Sequence, residues 1–223
     1  MIRYFHLKYI LLVATLPLLS FSEVFAQSTP TPVYTSEDLQ QPNSKQKTAE
    51  GEYITLTDKQ RQYFTDKAMQ KSHDLGRYLR LISSKQEIEE DKLYAIKEAL
   101  NLFVSDSSRV EVSSVNRDLK QQFMIREYLE RLRLLPYDKV ELVWIKAQMV
   151  SRFRKGEDGR YYGIITAQQL FRGFLENEIA YQDVTEKNIE VVLDRYLVFD
   201  EGVRKHRWDV FLSDISVQQT RIK

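Results

Sequence analysis

Asp194 and Asp214 each interrupt an apolar run, in NIEVVLDRYLVF and WDVFLSDISV. A carboxylate shut away from water there would be desolvated, and its pKa would rise toward that of a general base. Tyr162 and Tyr196 are the phenols that would complete an acid–phenol set with them. The competing reading places each acid on the solvent face of an alternating strand. Arg195, directly after Asp194, favours that reading, and Asp209 after Trp208 is equally ambiguous. If a catalytic site exists, Asp194 and Asp214 with Tyr162 or Tyr196 are its candidates.

Other chemistry is thinly represented. His73 sits among Lys71, Ser72 and Asp74 and reads as a solvated helix residue, and His206 in VRKHR reads as a loop residue between two strands. No pair of histidines is spaced for a metal site, and no metal or cofactor is implied. With no cysteine, the chain has no disulfide, no thiolate nucleophile and no Cys-ligated zinc. Gly156 and Gly159 bracket a turn between strands, not the strand-to-helix junction of a phosphate loop. Ser113-Ser114 lies outside any Gly-x-Ser-x-Gly elbow.

Binding residues are better represented. Arg152, Arg154, Lys155 and Arg160 crowd one expected hairpin, and Arg204, Lys205 and Arg207 crowd the last. If the hairpin ends meet, one rim of the sheet is basic. It then either docks an anionic partner or discourages edge-to-edge pairing, and the second use is favoured. Trp144, Tyr161 and Trp208 belong to a dense set of strand aromatics, most of them needed to fill a core. Those left on the outer face would mark a dimer or partner interface.

Composition narrows the class. A charge balance of 33 Lys+Arg against 32 Asp+Glu is not that of a dedicated polyanion or nucleic-acid binder. A 43% hydrophobic and 12% aromatic content is not that of a disordered chain. Residues 1–26 combine a basic start, the short apolar run YILLVATLPLLSF and the small-x-small exit Val24-Phe25-Ala26, the pattern of a secretory signal peptide. Export without cysteine fits the periplasm or surface of a Gram-negative bacterium, with no transmembrane segment after cleavage. Residues 27–56, with Pro30, Pro32 and Pro42 among polar residues, read as a flexible linker.

The elements that would position these residues follow. Thr57 and Gln60 form a capping box, and Phe64, Ala68, Leu75, Leu79 and Ile82 make the apolar stripe of a first helix that tolerates Gly76. Ser84 and Glu87 suggest a second box, opening a helix from Ile88 to Phe103. RVEVS, residues 109–113, alternates as a short strand. Phe123 to Leu135 gives a third helix, stopped by Pro136. Strands then follow at 139–153, 160–174, 188–199 and 208–217, with Gly156-Glu157-Asp158-Gly159 as a hairpin turn. Helices before strands predict an α+β domain over 57–217, its N-terminal helices packed on a mainly antiparallel sheet of four to six strands, with residues 218–223 as a tail.

This layout, with AIKEALNLF before VEVSS, IREYLERLRLL before VELVWI, and DVTEKNIEVVL, resembles the NTF2-like (cystatin-like α+β cone) superfamily. It also resembles secreted domains of Bacteroidetes-type bacteria. The resemblance implies a curved sheet wrapped round the helices and a cavity open at one end. It also implies that a catalytic Asp or His, helped by Tyr, would stand inside the cone. The superfamily hosts isomerases, dehydratases and plain binding modules, so the fold leaves function open. The expected function is a non-catalytic binding module of the bacterial cell envelope. It would engage a protein partner, another copy of itself or a small apolar ligand through the sheet face or the cavity. The binding candidates are Trp144, Tyr161, Trp208, Arg152, Arg154 and Arg204. The alternative is a cofactor-free isomerase or dehydratase using a buried Asp–Tyr set.

Overall fold

The computed structural model describes residues 56–200 and 202–222. The expected leader, and all of the expected linker except Leu56, lie outside the described residues. In chain order the elements are α1 (Asp58–Ser83), α2 (Glu89–Leu100), β1 (Arg109–Ser114), β2 (Arg117–Met124), α3 (Ile125–Arg133), β3 (Lys139–Met149), β4 (Arg154–Lys155), β5 (Tyr161–Leu175), β6 (Glu178–Asp200) and β7 (Val203–Arg221).

α1 begins as its sequence requires. The Gln60 amide donates to Thr57 Oγ1 at 3.2 Å, and the Thr57 amide donates to Gln60 Oε1 at 2.9 Å. Leu56, expected at the end of the linker, is instead buried in the core, and its carbonyl accepts from Arg61 Nε. The second capping box does not form. The Ser84 amide is used to close α1 on the carbonyls of Arg80 and Leu81, and α2 starts from Ile88 with no side-chain cap. Glu89, Glu90 and Asp91 in its first turn supply negative charge where the helix dipole favours it.

The third helix is shorter than its sequence predicts. Phe123 and Met124 belong to β2, which folds back on β1 with Arg109 opposite Met124 and Ser114 opposite Arg117. The sheet has seven strands in the order β2-β1-β7-β6-β5-β3, with β4 paired to β5, one more strand than the upper bound expected. β2 and β4 are the unexpected members. Every pairing is antiparallel except β1 beside β7, so the sheet is mixed.

The two longest strands also exceed expectation. β6 starts at Glu178, not Asn188, because Glu176 and Asn177 both take positive φ and turn the chain straight back on β5. β7 starts at Val203, which places His206 within a strand and not in a loop. Register shifts interrupt β3 at Trp144/Lys146, β5 at Gly173/Phe174 and β6 twice, at Glu186/Lys187 and Ile189/Val191. Such irregularities bend a strand locally and increase its twist.

One hydrophobic core joins the helices to one sheet face. Phe64, Ala68, Leu75, Leu79 and Ile82 from α1 and Ile125, Leu129 and Leu132 from α3 meet Leu142, Ile165, Ile189, Val191, Leu193, Val210, Leu212 and Ile215. Gly76 lies under the Trp144 indole, whose ring atoms would stand 3.2 Å from a Cβ added there. That contact accounts for a glycine in mid-helix, where it costs about 1 kcal/mol against alanine.

Candidate functional site

Two regions stand apart from ordinary core and surface. The first is the end of the β6–β7 hairpin. β5 stops opposite Leu193, with Tyr161 facing it, and the ladder between β1 and β7 pairs Val110 with Ile215, well short of the hairpin end. From Asp194 to Asp200 and from Val203 to Asp209 the two strands therefore have, among the described residues, no strand neighbour but each other. A long two-stranded ribbon with open edges is a template for strand addition. Phe199 is 68% exposed and Val203 57%, and Leu197 and Tyr196 are also exposed. Arg195, Arg204, His206 and Arg207 are exposed among them. The Arg204 guanidinium lies over the Phe199 ring and that of Arg195 over the Trp208 ring. The base is held firmly: Lys67 and Lys71 from α1 reach Asp209 at 2.6 and 3.5 Å.

Some of the candidates named from the sequence fall around this base. Arg160 reaches Asp194 at 3.0 Å and Asp158 at 3.9 Å, and the Tyr162 hydroxyl donates to Asp158 at 2.5 Å. Asp194 and Tyr162 thus share one surface chain of charges. The Tyr162 hydrogen bond holds the Asp158 carboxyl below its usual range, and the same bond raises the phenol. Asp214 is exposed elsewhere on β7, accepting from the Arg109 amide at 2.8 Å, and Tyr196 stands edge-on to Phe211. Those two do not join the first pair. Arg152, Arg154 and Arg204 are exposed. Tyr161 is buried edge-on to Trp208, and Trp144 and Trp208 pack against the core.

The face opposite the core mixes polar pairs with aliphatic side chains such as Leu170, Val184 and Ile164. Thr166 donates to Asn188 at 2.8 Å, and Arg172 donates to Gln182 at 2.7 Å and to Glu141 at 3.3 Å.

The second region lies on the core face, where β6 presents polar side chains inward. Asp183, Thr185 and Lys187 are buried on one phase of the strand. Register sets Trp144 opposite Gln169 and Gln169 opposite Thr185, with Thr220 next across. The adjacent row runs Ala147, Ala167, Lys187 and Val217. Tyr181 donates to the Asp183 carboxylate, and its oxygen accepts from the Ser114 hydroxyl at 3.0 Å and from the Val115 amide. Tyr128, from α3, covers the rows. The Lys187 ammonium lies 5.5 Å from its ring centroid, and its hydroxyl meets Gln169.

Burial dominates the electrostatics of this cluster. It pushes the Lys187 amine down to about 8, although the Asp183 charge pulls the other way. It pushes Tyr128 up to about 12, against the hydrogen bond with Gln169. Asp183 is raised by burial despite the Tyr181 hydrogen bond and the Lys187 charge, and Tyr181 is raised by burial and by Asp183. Two buried atoms of this cluster, Gln169 Oε1 and Trp144 Nε1, have no hydrogen-bond partner among the described residues. Sequence reasoning missed this cluster. Its one signal was the phase of Tyr181, Asp183, Thr185 and Lys187, which reads as a solvent face until Ile189 shares it.

Among the described residues no group of three or more His, Asp or Glu side chains is arranged to hold a metal ion, and no helix is long and apolar enough to cross a membrane. No protein-family model and no curated protein matches the chain.

Proposed function

We propose that this chain is an exported, non-catalytic interaction module of the bacterial cell envelope, docking an acidic protein partner through the β6–β7 ribbon. The observation that carries the proposal is the ribbon itself: two strands with open edges, exposed Phe199, Val203 and Leu197, and Arg195, Arg204 and Arg207 beside them. An acidic partner that adds a strand would extend the ladder, cover the apolar side chains and bring carboxylates near Arg195 and Arg204. The leader-like residues 1–26 support export to the periplasm or cell surface. The order of two helices, a hairpin, a third helix and a long antiparallel array supports an NTF2-like assignment.

A photo-crosslinking residue placed at Phe199, compared with one at Thr166 on the face opposite the core, tests this in cells of the native kind. The expected outcome is one reproducible envelope protein crosslinked from position 199 and not from 166. Arg204→Glu should abolish it. Equal yields from both positions, or none from 199, would overturn the proposal.

A second reading has its own observation. The pair of buried Asp183 and half-buried Tyr181 is the kind of acid–phenol set that a cofactor-free isomerase or dehydratase uses, on residues other than those named from the sequence. Under this reading the intact protein exchanges solvent deuterium into the α-position of a small ketone. Asp183→Asn should abolish that exchange, and exchange unaffected by the substitution would dismiss the reading.

A further inference from the structure

We infer that the core face of the sheet holds a binding site for a small aldehyde or ketone, which Lys187 captures through its amine as a reversible imine. This inference rests on neither functional reading above. It begins from Lys187, whose residue is only 7% exposed and which makes no ion pair with any carboxylate among the described residues. A buried ammonium left without an ion pair is costly, so such a lysine gives up its proton more readily than an exposed one, and a neutral amine is a nucleophile.

The surroundings match the chemistry. Lys187 faces Ala167 directly, with Ala147 beyond it, so two small side chains line the row on that side. The neighbouring row carries the two unpartnered atoms, the Gln169 Oε1 acceptor and the Trp144 Nε1 donor, on directly opposed residues. Gln169 is 6% exposed, so its orphaned oxygen is not satisfied by bulk water. A bound carbonyl compound supplies both missing partners. Its oxygen accepts from Trp144, and the hydroxyl it becomes donates to Gln169.

The step balances without any further reagent. The neutral Nζ attacks the carbonyl carbon, and a C–N bond forms as the carbonyl oxygen takes one proton from that nitrogen. The hydroxyl then leaves as water with the second nitrogen proton, and the C=N bond remains. Hydrolysis reverses it. Tyr128, over the amine and hydrogen-bonded to Gln169, is a positioning residue that fixes both groups.

Reductive trapping tests the inference on the full-length protein. Propanal and sodium cyanoborohydride are added at pH 7, and the modified lysines are mapped by mass spectrometry against time. With its amine near 8, Lys187 holds about 300-fold more free base at pH 7 than an ordinary lysine. The expected result is propylation of Lys187 at least about 10-fold faster than of exposed Lys97 and Lys146, the free-base advantage being partly offset by lower intrinsic nucleophilicity. Tyr128→Phe should reduce that preference and leave Lys97 and Lys146 unchanged. Lys187 modified no faster than the exposed pair would overturn the inference. So would rapid modification that persists only after the protein has lost its native circular dichroism. Because the wild-type protein is the principal sample, a variant that fails to fold leaves the test intact.

Discussion

Burying a lysine has a thermodynamic consequence that can be measured. The folded-state value of Lys187 lies near 8, below its unfolded value of 10.5. Below about pH 8 the unfolded chain and the folded chain both hold the proton, but the folded chain holds it at a cost of about 3 kcal/mol, from a shift of this size. Between pH 8 and 10.5 the unfolded state binds more protons than the folded state, so this residue's contribution improves as pH rises through that window. Asp183, the carboxyl that feels this charge, runs the opposite way. Its raised folded value means that its ionised form costs stability, a cost relieved as pH falls through that value. Lys187→Met is therefore expected to raise stability at pH 7 by up to about 3 kcal/mol and to lose most of that advantage by pH 10.5. Urea unfolding of both proteins at pH 7 and pH 10 checks this. A variant less stable than wild type at pH 7 would mean that the amine is satisfied by interactions stronger than burial.

Individual elements differ in how plainly the sequence announces them, and the reason is which side of each faces water. α1 was legible because one stripe is buried and the remainder solvated, so its period and its Thr57–Gln60 box survive in the sequence. β2 was not. It is an edge strand with exposed Lys120, Gln121 and Gln122, and a strand with little to bury leaves no alternation. The first ten residues of β6 were hidden differently, because polar side chains occupy its core phase. The same inversion concealed the inner cluster, whereas the ribbon was half visible through Arg204, Lys205 and Arg207. Two substitutions probe the legible and the hidden elements. Thr57→Ala removes the cap and should cost about 1 kcal/mol in urea unfolding. Gly173→Ala, in β5, drives a methyl to 2.5–2.6 Å from the Tyr137 ring, itself edge-on to Phe171. It should cost about 1–3 kcal/mol by overpacking. An effect of Gly173→Ala smaller than that of Thr57→Ala would mean that Tyr137 swings clear without loss.

For the whole molecule, support along the β6–β7 hairpin is unequal. From Val184 to Leu193, β6 runs between β5 and β7 and carries Ile189, Val191 and Leu193 into the core. Beyond Leu193 the same strand has one neighbour among the described residues, and its side chains are largely exposed. Opening the ribbon breaks cross-strand hydrogen bonds but uncovers little apolar surface, so it requires much less free energy than unfolding the body. Amides of Val191–Leu193 should accordingly exchange only with global unfolding, while those of Leu197–Phe199 and Arg204–His206 exchange through local opening. Limited trypsin should make its first cuts within residues 56–222 after Arg204, Lys205 or Arg207. The nicked protein should keep its helices and its cooperative melt, because α1 holds Asp209 from outside the ribbon. A bound partner that adds a strand to the open edge should suppress those cuts and leave exchange at Val191–Leu193 unchanged. If instead the first nick abolishes the melt, the ribbon is integral to the fold, and its exposed side chains cannot be explained as a surface set aside for binding.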